Sequence, residues 1–344
     1  MKVLHYFLFV LLFSLAACKK QKQVNIQSTE EETSEETFVP KSQDFKVVGY
    51  IWSRASIISD LESVDFEKIT HLNIAFINPD PTAATFQDMP ALQTVVATAH
   101  KKGVYVMLSC GGGSPQRYYT ELLSTKRALL VKNFIDFVDK YNLDGIDVDL
   151  EGDDIDANYE AFVTELRAPL TERKKLLTSA VAWWTRARLT DKALATFDFI
   201  NIMAYDATGP WDLSSPGQHS TYAYAVQHLN YWHGQRGLDK KKLVLGVPFY
   251  GYGFGTFFDS NSSLRQMSWQ TVQQNYPDWV NVDEIPFPNN GGTFYYNGKN
   301  TIKAKTELAI TDGGGIMIWQ LLYDSQNANS LLTLIDKTQK EAIK

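Results

Sequence analysis

Cysteine is scarce in this sequence: only Cys18 and Cys110 occur among 344 residues. Two cysteines exclude a disulfide-rich scaffold, so the fold has to be stabilised by its hydrophobic core. An excess of positive charge is also lacking, because 33 Lys and Arg stand against 39 Asp and Glu, for a formal net charge of −6. Nucleic-acid binding requires clustered basic side chains that release counterions from phosphates, so the composition argues against this class of partner.

The first residues have the pattern of a targeting segment. A lysine precedes an apolar run over residues 3–17 that is too short to span a bilayer comfortably. The run ends in Leu15-Ala-Ala-Cys18, which resembles the lipobox of bacterial lipoproteins. This resemblance implies a signal peptide over residues 1–17 and an acylated Cys18 at the start of the exported, mature chain. Lys19, where inner-membrane lipoproteins commonly have Asp, favours the outer membrane. The alternative is an ordinary secretory signal cleaved near the same place.

The segment that follows has almost nothing to bury. Residues 19–44 are polar and of low complexity, and they include the acidic stretch Thr29–Glu36. This composition predicts a flexible tether over residues 18–44 that spaces a domain, residues 45–344, from a membrane. A solvated helix is the alternative structure. With Cys18 acylated, Cys110 has no partner for a disulfide.

Beyond the tether, short β-rich apolar runs alternate with amphipathic stretches, which is the pattern of repeated βα units around a parallel sheet. Eight runs predict strands: Val47–Trp52, His71–Asn78, Val104–Ser109, Gly145–Glu151, Leu176–Ala182, Phe199–Tyr205, Leu243–Phe249 and Ile316–Gln320. Helices are predicted at Met89–Lys102, Lys126–Tyr141 and Tyr159–Leu170, where apolar residues recur every three or four positions. The α/β pattern therefore predicts a single (β/α)8 TIM barrel. An open doubly wound sheet is the alternative, but no Gly-rich dinucleotide motif follows the first strand.

The connection between the seventh and eighth predicted strands is longer than a βα unit needs. It spans residues 254–314 and is rich in aromatic and turn residues. A helix is predicted near Ser268–Gln274 and a β-hairpin around Tyr296–Gly298. We expect a small insert over the C-terminal rim of the barrel and not a second domain.

The fourth predicted strand carries an alternation of acidic and apolar residues, Asp144-Gly-Ile-Asp-Val-Asp-Leu-Glu151. Residues two apart on a strand point to the same face, so Asp147, Asp149 and Glu151 share one face and the aliphatic residues share the other. In a barrel the acidic face would point inward, with Glu151 at the C-terminal end, where barrel active sites lie. Like charge and burial would raise the pKa of at least one carboxyl, as a general acid requires.

Three other interpretations of these acids remain open at this point. A solvated strand face is disfavoured, because a central barrel strand is buried on both faces. An EF-hand loop would use Asp147, Asp149, Glu151 and Gly152, but its twelfth position is Asn158, and the preceding pattern is a strand. A carboxylate metal site lacks an accompanying histidine.

The acidic stretch resembles the signature of glycoside hydrolase family 18, the family of chitinases and endo-β-N-acetylglucosaminidases, and the resemblance extends from Val47 to about Leu322. It implies that Glu151 is the proton donor to the glycosidic oxygen and that Asp149 orients the substrate acetamido group. It also implies that Asp147 shares a proton with Asp149. Asp144, on the opposite face, would be structural.

Separate segments carry the same resemblance. The third strand ends in Leu108-Ser-Cys-Gly-Gly112, similar to the family's Ser-x-Gly-Gly, and implies that Ser109 hydrogen-bonds to the inner aspartate. The sixth ends in Met203-Ala-Tyr-Asp206, similar to Met-x-Tyr-Asp. There Tyr205 would hold the acetamido carbonyl, Asp206 would approach the sugar or the acid, and Met203 would line the substrate site. Each run taken alone is also compatible with a tight loop or with strand core.

Aromatic residues complete the implied substrate site. Trp319, in Gly315-Ile-Met-Ile-Trp319 of the eighth strand, would form the apolar floor under the cleaved sugar, and Tyr50 and Phe76 match looser family positions. All three are also compatible with core packing. Further sugar subsites are predicted at Trp52, Trp183, Trp184 and Trp211, since sugar faces stack on indoles. Tyr252 stands where many chitinases have Arg, which leaves the substrate contacts on that side open. The insert is shorter than the insertion domain that walls a deep groove in processive members, which predicts a shallower cleft and endo-type cutting of low processivity.

The resemblance implies substrate-assisted hydrolysis of β-1,4-linked N-acetylglucosamine in chitin or its oligosaccharides, with retention of configuration. No metal or organic cofactor is expected, and the chain is expected to act as a monomer. One alternative is an endo-β-N-acetylglucosaminidase that cuts the chitobiose core of N-glycans, although such members usually depart from Met-x-Tyr-Asp. Another is a non-catalytic surface glycan-binding protein, which typically lacks the acid that Glu151 supplies.

Overall fold

Eight parallel strands, rich in Val, Ile and Leu, close into a barrel. The structure is a computed structural model that describes residues 38–113 and 118–342. The barrel strands are β1 Lys46–Trp52, β2 His71–Ala75, β3 Tyr105–Gly111, β4 Gly145–Asp149, β5 Leu176–Ala182, β6 Phe199–Met203, β7 Leu243–Pro248 and, at the closing position, β12 Gly315–Trp319. They pair in chain order, with β12 between β7 and β1. Since helices follow the strands, the predicted (β/α)8 barrel is confirmed.

Helices surround the sheet, and several begin at side-chain caps. They are α1 Ile57–Leu61, α2 Ala91–His100, α3 Tyr118–Thr125, α4 Arg127–Tyr141, α5 Tyr159–Glu172, α6 Asp191–Thr196, α7 Tyr222–Leu229, α8 Thr256–Ser260, α9 Trp269–Asn275, α10 Lys299–Asp312 and α11 Leu331–Ala342. The hydroxyls of Thr190, Thr221 and Ser268 accept backbone N–H bonds at the starts of α6, α7 and α9. The helix at α4 ends with Asn142 in the left-handed region.

The two faces of each barrel strand enter different clusters. Ile146, Val148 and Leu150 of the fourth βα unit pack in the layer between sheet and helices. Tyr50, Phe199, Met203, Tyr205 and Met317 are among the side chains that form a smaller cluster inside the barrel. This division follows the two-residue periodicity of a strand and points the odd-numbered acids of β4 inward.

The insert is an antiparallel sheet of four short strands: β8 Tyr250–Phe254, β9 Gln266–Ser268, β10 Glu284–Phe287 and β11 Gly292–Tyr295, in the order β10-β11-β8-β9. The predicted helix near Ser268 is α9. The predicted hairpin position is wrong, because the turn lies at residues 288–291, where Asn289 and Asn290 adopt positive φ. Tyr296–Gly298 instead leads into α10.

The first described residues lie on the N-terminal face of the barrel. Phe38 stacks on His100 at 4.1 Å between ring centroids, and the Lys41 amide donates to the Gly103 carbonyl at 2.9 Å. The Lys41 ammonium donates to the carbonyls of Phe66 and Ile69. The residues they contact lie just before the starts of β2 and β3. Residues 38–41 therefore lie against the N-terminal face of the barrel, opposite to the C-terminal ends of the strands. The predicted signal peptide, Cys18 and most of the predicted tether lie outside the described residues.

Within the described ranges, no helix is long and apolar enough to cross a bilayer.

The packing of α4 against its neighbours leads to a prediction about the free energy of unfolding. Phe134 is fully buried, with ring contacts to Phe86 and Phe162. We expect Phe134→Ala to lower the free energy of unfolding by about 3–5 kcal/mol, measured by urea denaturation, because it removes apolar contacts and leaves a cavity. Leu129→Ala, on the exposed side of the same helix, should change it by less than about 0.5 kcal/mol. Equal losses in the two variants would contradict this packing.

Candidate active site

Three carboxyl groups on β4 and just beyond its end point into the barrel. Asp147 and Asp149 are buried within the strand, and Glu151 follows the strand with only 8% of its surface exposed. A single 3-10 turn, Gly152–Asp154, follows Glu151, and here the chain leaves the direction of the strand. The Glu151 side chain therefore lies at the mouth of the barrel formed by the C-terminal ends of the strands. The structure thus brings together the three acids that the sequence placed on one face.

Asp147 accepts four hydrogen bonds. Its Oδ2 receives the hydroxyls of Tyr50 at 2.6 Å and Ser109 at 2.8 Å. Its Oδ1 receives the Thr178 hydroxyl at 2.6 Å and the Asn201 side-chain amide at 3.1 Å. Burial raises the pKa of Asp147, and these four donors oppose that rise. Sequence reasoning named Tyr50 and Ser109 but missed Thr178 and Asn201, whose only signal was polar character at inward positions of β5 and β6.

Asp149 lies in a very different environment. No described residue donates to its Oδ1, although this atom is buried. Burial, followed by the charges of Glu151 and Asp147, raises the pKa of Asp149 well above its usual range. The end of β3 approaches closely here: Gly111 has φ +98°, and a Cβ on it would lie 2.1 Å from the Asp149 carbonyl oxygen. The first glycine of the Ser-x-Gly-Gly segment therefore serves this close approach.

Glu151 is poised to carry a proton near neutral pH. Burial is the largest cause, and the charges of Asp206 and Asp154 add to it, so that the pKa of Glu151 is raised to about 7. A carboxyl of this kind is protonated for part of the population at neutral pH and reaches solvent at the mouth of the barrel. These are the properties of a general acid.

Asp206 lies beside this acid and is held by two partners that the sequence did not identify. Its backbone is in the left-handed region at φ +59°. Its Oδ1 accepts the Tyr250 hydroxyl at 2.7 Å and lies 3.2 Å from Nδ1 of the buried His219. Tyr205 is buried inside the barrel with its hydroxyl 3.7 Å from the Met317 sulfur. His219 gave no signal, because it lies thirteen residues beyond Asp206 in an irregular loop.

One half of the cleft is aromatic. The Trp319 ring stacks with Phe76 at 5.6 Å and with Trp52 at 6.5 Å, and it contacts Tyr50 at 5.6 Å. A cavity of about 470 Å³ is lined by Trp52, Phe76, Asn78, Gly111, Gly112, Gly113 and Trp319. Asn78 was not identified from the sequence; its amide group exchanges two hydrogen bonds with the Gly111 backbone. The aromatic rings offer flat apolar surface to a ligand in this half.

The other half of the cleft contains the acid. A second cavity of about 300 Å³ is lined by Gly113, Glu151, Gly152, Trp184, Met203, Asp206 and Trp211. Gly113 belongs to both cavities, so Glu151 stands near the point where they meet. Trp184 and Trp211 are 49% and 63% exposed, which leaves much of each indole free for a ligand.

The orientation of Trp211 depends on two neighbours. Its ring folds back over Gly209, where a Cβ would lie 2.3 Å from the indole. Tyr252 meets the same ring edge-on at 5.7 Å and is itself buried against His219. Tyr252 therefore packs under the rim of the cleft.

Two further predicted residues lie away from the cleft. Trp183 lines neither cavity, because its ring packs against Tyr231 and the Arg186 guanidinium covers it at 3.9 Å. The predicted subsite at Trp183 thus has no counterpart in these two cavities and stays a prediction. Asp144 faces the helix side, where it binds the His100 ring at 2.7 Å and the Val106 amide at 2.7 Å.

The described residues contain no group of three or more His, Cys, Asp and Glu side chains arranged to hold a metal ion. The EF-hand alternative also fails on backbone structure, since Asp147 and Asp149 lie within a barrel strand and not in a calcium loop.

Known proteins resemble this chain both in fold and in amino-acid sequence. The chain resembles the GH18 chitinase ChiB from the chitin utilization locus of Flavobacterium johnsoniae, with 36% identity, a TM-score of 0.78 and coverage of 88% of this chain and 96% of that one. A chitinase from Bacteroides thetaiotaomicron gives 28% identity and a TM-score of 0.72, over 86% and 97% of the two chains. Chitinase A1 of Niallia circulans is 24% identical over 398 residues, which cover 82% of this chain and 57% of that protein.

The chain spans only part of the curated relatives it matches, from 16% of one to 58% of another. The sequence model of the family described as "Glycosyl hydrolases family 18" matches residues 46–324, which include every barrel strand. The chain therefore belongs to glycosyl hydrolases family 18.

Proposed function

We propose that this protein hydrolyses β-1,4 linkages of N-acetylglucosamine in chitin or chito-oligosaccharides, acting as a monomer with retention of configuration through assistance from the substrate. The observation that carries the proposal is a carboxyl, Glu151, whose pKa is raised to about 7 where an aromatic half-cleft meets a second open cavity. The relatives named above as chitinases support the choice of polymer.

In the proposed reaction, the sugar to be cleaved lies on the Trp319 side and the leaving sugar on the Trp211 side. The acetamido carbonyl oxygen attacks the anomeric carbon while the bond to the glycosidic oxygen breaks, and the Glu151 proton goes to that oxygen. Asp149, buried beside Glu151, orients the acetamido group. Water then attacks the anomeric carbon from the face that the leaving sugar has vacated. One proton of the water goes to Glu151, and the bond between the anomeric carbon and the acetamido oxygen breaks.

A carboxylate nucleophile does not fit this site as well. Asp149 is the carboxyl closest to Glu151 along the strand, and burial together with two neighbouring charges disfavours its ionised form. An ionised carboxylate is what a glycosyl-enzyme intermediate requires. The acetamido group of the substrate supplies the nucleophile instead, which restricts the cleaved position to N-acetylated sugars.

We also propose that the chain is exported and anchored through acylated Cys18, with the outer membrane as its location. The lipobox-like sequence and Lys19 support this.

Replacement of the acid tests the enzymatic proposal. Glu151→Gln should lower kcat on chitin oligomers by about 10²–10⁴-fold, because the amide keeps the shape of the side chain but has no proton to give. Asp153→Asn is the matched control, since Asp153 lies two residues away with its side chain 92% exposed, and its kcat should stay near that of the parent. Products are measured by chromatography of the oligomers, alongside a high-mannose glycoprotein.

Each other outcome of that assay has a defined meaning. Release of the glycan from the glycoprotein alone would replace chitin by N-glycans as the substrate. Tight binding of oligomers without cleavage by the parent protein would replace the enzyme by a glycan-binding protein. Full activity of Glu151→Gln would contradict the assigned acid.

The charge beside the acid predicts a pH effect. The alkaline limb of kcat/KM should lie near pH 7, since deprotonation of Glu151 removes the general acid. Asp206→Asn removes a negative charge that favours the protonated form, so the pKa of Glu151 should fall and the alkaline limb should move to lower pH. A fluorogenic chitobioside assayed across pH measures the limb separately from any loss of rate. A limb that moves to higher pH would contradict this assignment.

Anchoring is tested in the exporting cell. Labelled fatty acid should enter the parent protein and not Cys18→Ala, because only the Cys18 thiol can carry the acyl chain proposed here. Cys110→Ala, the other cysteine, is the control and should keep the label. Label retained in Cys18→Ala, or a mature protein found free in the medium, would contradict anchoring.

A further inference from the structure

A lysine side chain is buried behind the loop that carries His219. Lys305 lies on α10 and has no exposed surface. Its ammonium donates to the Ser220 carbonyl at 2.8 Å, to the Ser220 hydroxyl at 2.7 Å and to the Asn297 side-chain oxygen at 2.7 Å. These three contacts join α10 to the loop between β6 and α7 and to the segment that leads from the insert into α10.

The acceptors match an ammonium group one for one. The Ser220 hydroxyl gives its own proton to the Ala204 carbonyl at 2.7 Å, so it accepts from Lys305. The Asn297 amide nitrogen donates to the Ser220 carbonyl at 2.8 Å, which leaves the amide oxygen to accept from Lys305. An ammonium has three N–H donors and no acceptor. Each of these donors therefore has a partner in this site.

Packing alone does not account for a lysine at this position. Burial lowers the pKa of Lys305 to about 7, and the negative charge of Asp283 opposes that fall. A hydrophobic side chain of similar volume would fill the same space without the cost of burying a charge. The lysine adds donors that hold the Ser220 carbonyl and hydroxyl in one position.

The loop is also held on the other side of His219. The Gln218 side-chain amide donates to the carbonyls of Asp283 at 3.1 Å and Tyr296 at 2.5 Å. The Ala207 amide donates to the His219 carbonyl at 3.0 Å. The His219 backbone is therefore fixed relative to the end of β6.

His219 passes this constraint to Asp206. Its Nδ1 lies 3.2 Å from Oδ1 of Asp206 and 3.4 Å from the Asp206 amide nitrogen. The imidazole also packs against Tyr250 and Tyr252 of β8, at 5.2 and 4.9 Å between ring centroids. Asp206 requires this support, because its backbone is in the left-handed region, which few residues other than glycine adopt. Its side chain lines the same cavity as Glu151.

We propose that Lys305 is a positioning residue that holds the Asp206 carboxylate beside Glu151. It does so by fixing the Ser220 backbone, which places His219 against that carboxylate. Lys305 lines neither cavity of the cleft, so it acts through other residues. For its effect on turnover, this inference rests on the proposed function.

Lys305→Met tests the inference in turnover. Met is close to Lys in length but has no N–H, so the Ser220 carbonyl loses a donor and the loop is free to shift. We expect kcat on chitin oligomers to fall by about tenfold, since a displacement of about 1 Å can cost up to about 10²-fold. KM should change by less than about twofold, because the Trp319 side of the cleft keeps its rings. The assay is run about one pH unit below the pKa of Lys305, where the parent protein keeps its ammonium.

Two controls separate the contact from the type of substitution and from burial. Lys303→Met makes the same change on the same helix, at an ion pair with Glu307 where half of the lysine side chain is exposed. Thr306→Val removes a buried hydroxyl that donates to the Ile302 carbonyl of its own helix. Both controls should keep the parent kcat.

Asn297→Ala tests the same contacts from a second segment and decides the matter if thermal unfolding shows that Lys305→Met does not fold. It removes one donor to the Ser220 carbonyl and one acceptor for Lys305. We expect kcat to fall here too, by a smaller factor, because the lysine still donates to Ser220.

A double-mutant cycle tests the route of the effect. If Lys305 acts through Asp206, Lys305→Met should lower kcat by a smaller factor in an Asp206→Asn background than in the parent protein. Equal factors in the two backgrounds would mean that Lys305 acts independently of Asp206, and would overturn the inference.

A second measurement does not depend on turnover. Nitrogen-15 NMR of the His219 imidazole, assigned with His219→Gln, reports the surroundings of Nδ1. Its signals should shift in Lys305→Met and in Asp206→Asn, and they should keep the parent positions in Lys303→Met and Thr306→Val. A parent protein that cleaves no glycan would remove the proposed function, while this measurement still decides whether Lys305 positions His219.

Two further outcomes would contradict the assignment of Lys305. One is a His219 spectrum in Lys305→Met that matches the parent spectrum. The other is a rise in KM without a fall in kcat, because the lysine would then affect binding of the substrate and not the acid.

Discussion

A single strand carries three carboxyl groups into the interior of a closed barrel, and the surrounding structure has to accommodate their charge. Burial of an isolated carboxylate costs several kcal/mol even after relaxation, so three adjacent anions on β4 would not be stable. Each hydrogen bond to a charged group contributes about 1.5–3 kcal/mol. Burial raises the pKa of all three carboxyls, and the barrel places four hydrogen-bond donors around Asp147 that oppose the rise there.

The environment of the three carboxyls changes along this segment of the chain. Asp147 is surrounded by donors from β1, β3, β5 and β6, so it is fixed in place. Glu151, at the mouth, is exposed enough to exchange a proton with a ligand and buried enough to keep that proton near neutral pH. The loops then add Asp206, held by Tyr250 and His219, which tunes the acid from outside the strand.

The cleft around the acid is built from rings on both sides. Trp319 stacks with Phe76 and Trp52 in one half, and Trp184 and Trp211 expose their indoles in the other. Tyr252 packs edge-on to Trp211 and so helps to orient this indole at the rim.

Local periodicity determined much of this protein from the sequence alone. Alternation along Gly145–Glu151 fixed which acids share a face, because the two-residue period of a strand needs no knowledge of its neighbours. The apolar runs gave all eight barrel strands, although β2 ends at Ala75 and not at Asn78. The order of βα units then gave the barrel.

Tertiary structure alone decided which distant side chains meet. Thr178, Asn201, Tyr250 and His219 reach the acids only through barrel register and loop path, and neither is encoded in the spacing of residues along the chain. Trp183 and Trp184 are adjacent in sequence, yet only Trp184 lines the cleft, since the turn after β5 sends their side chains to different sides. Periodicity is a property of one segment, whereas a site is formed by contacts among many, and those contacts exist only once the sheet has closed.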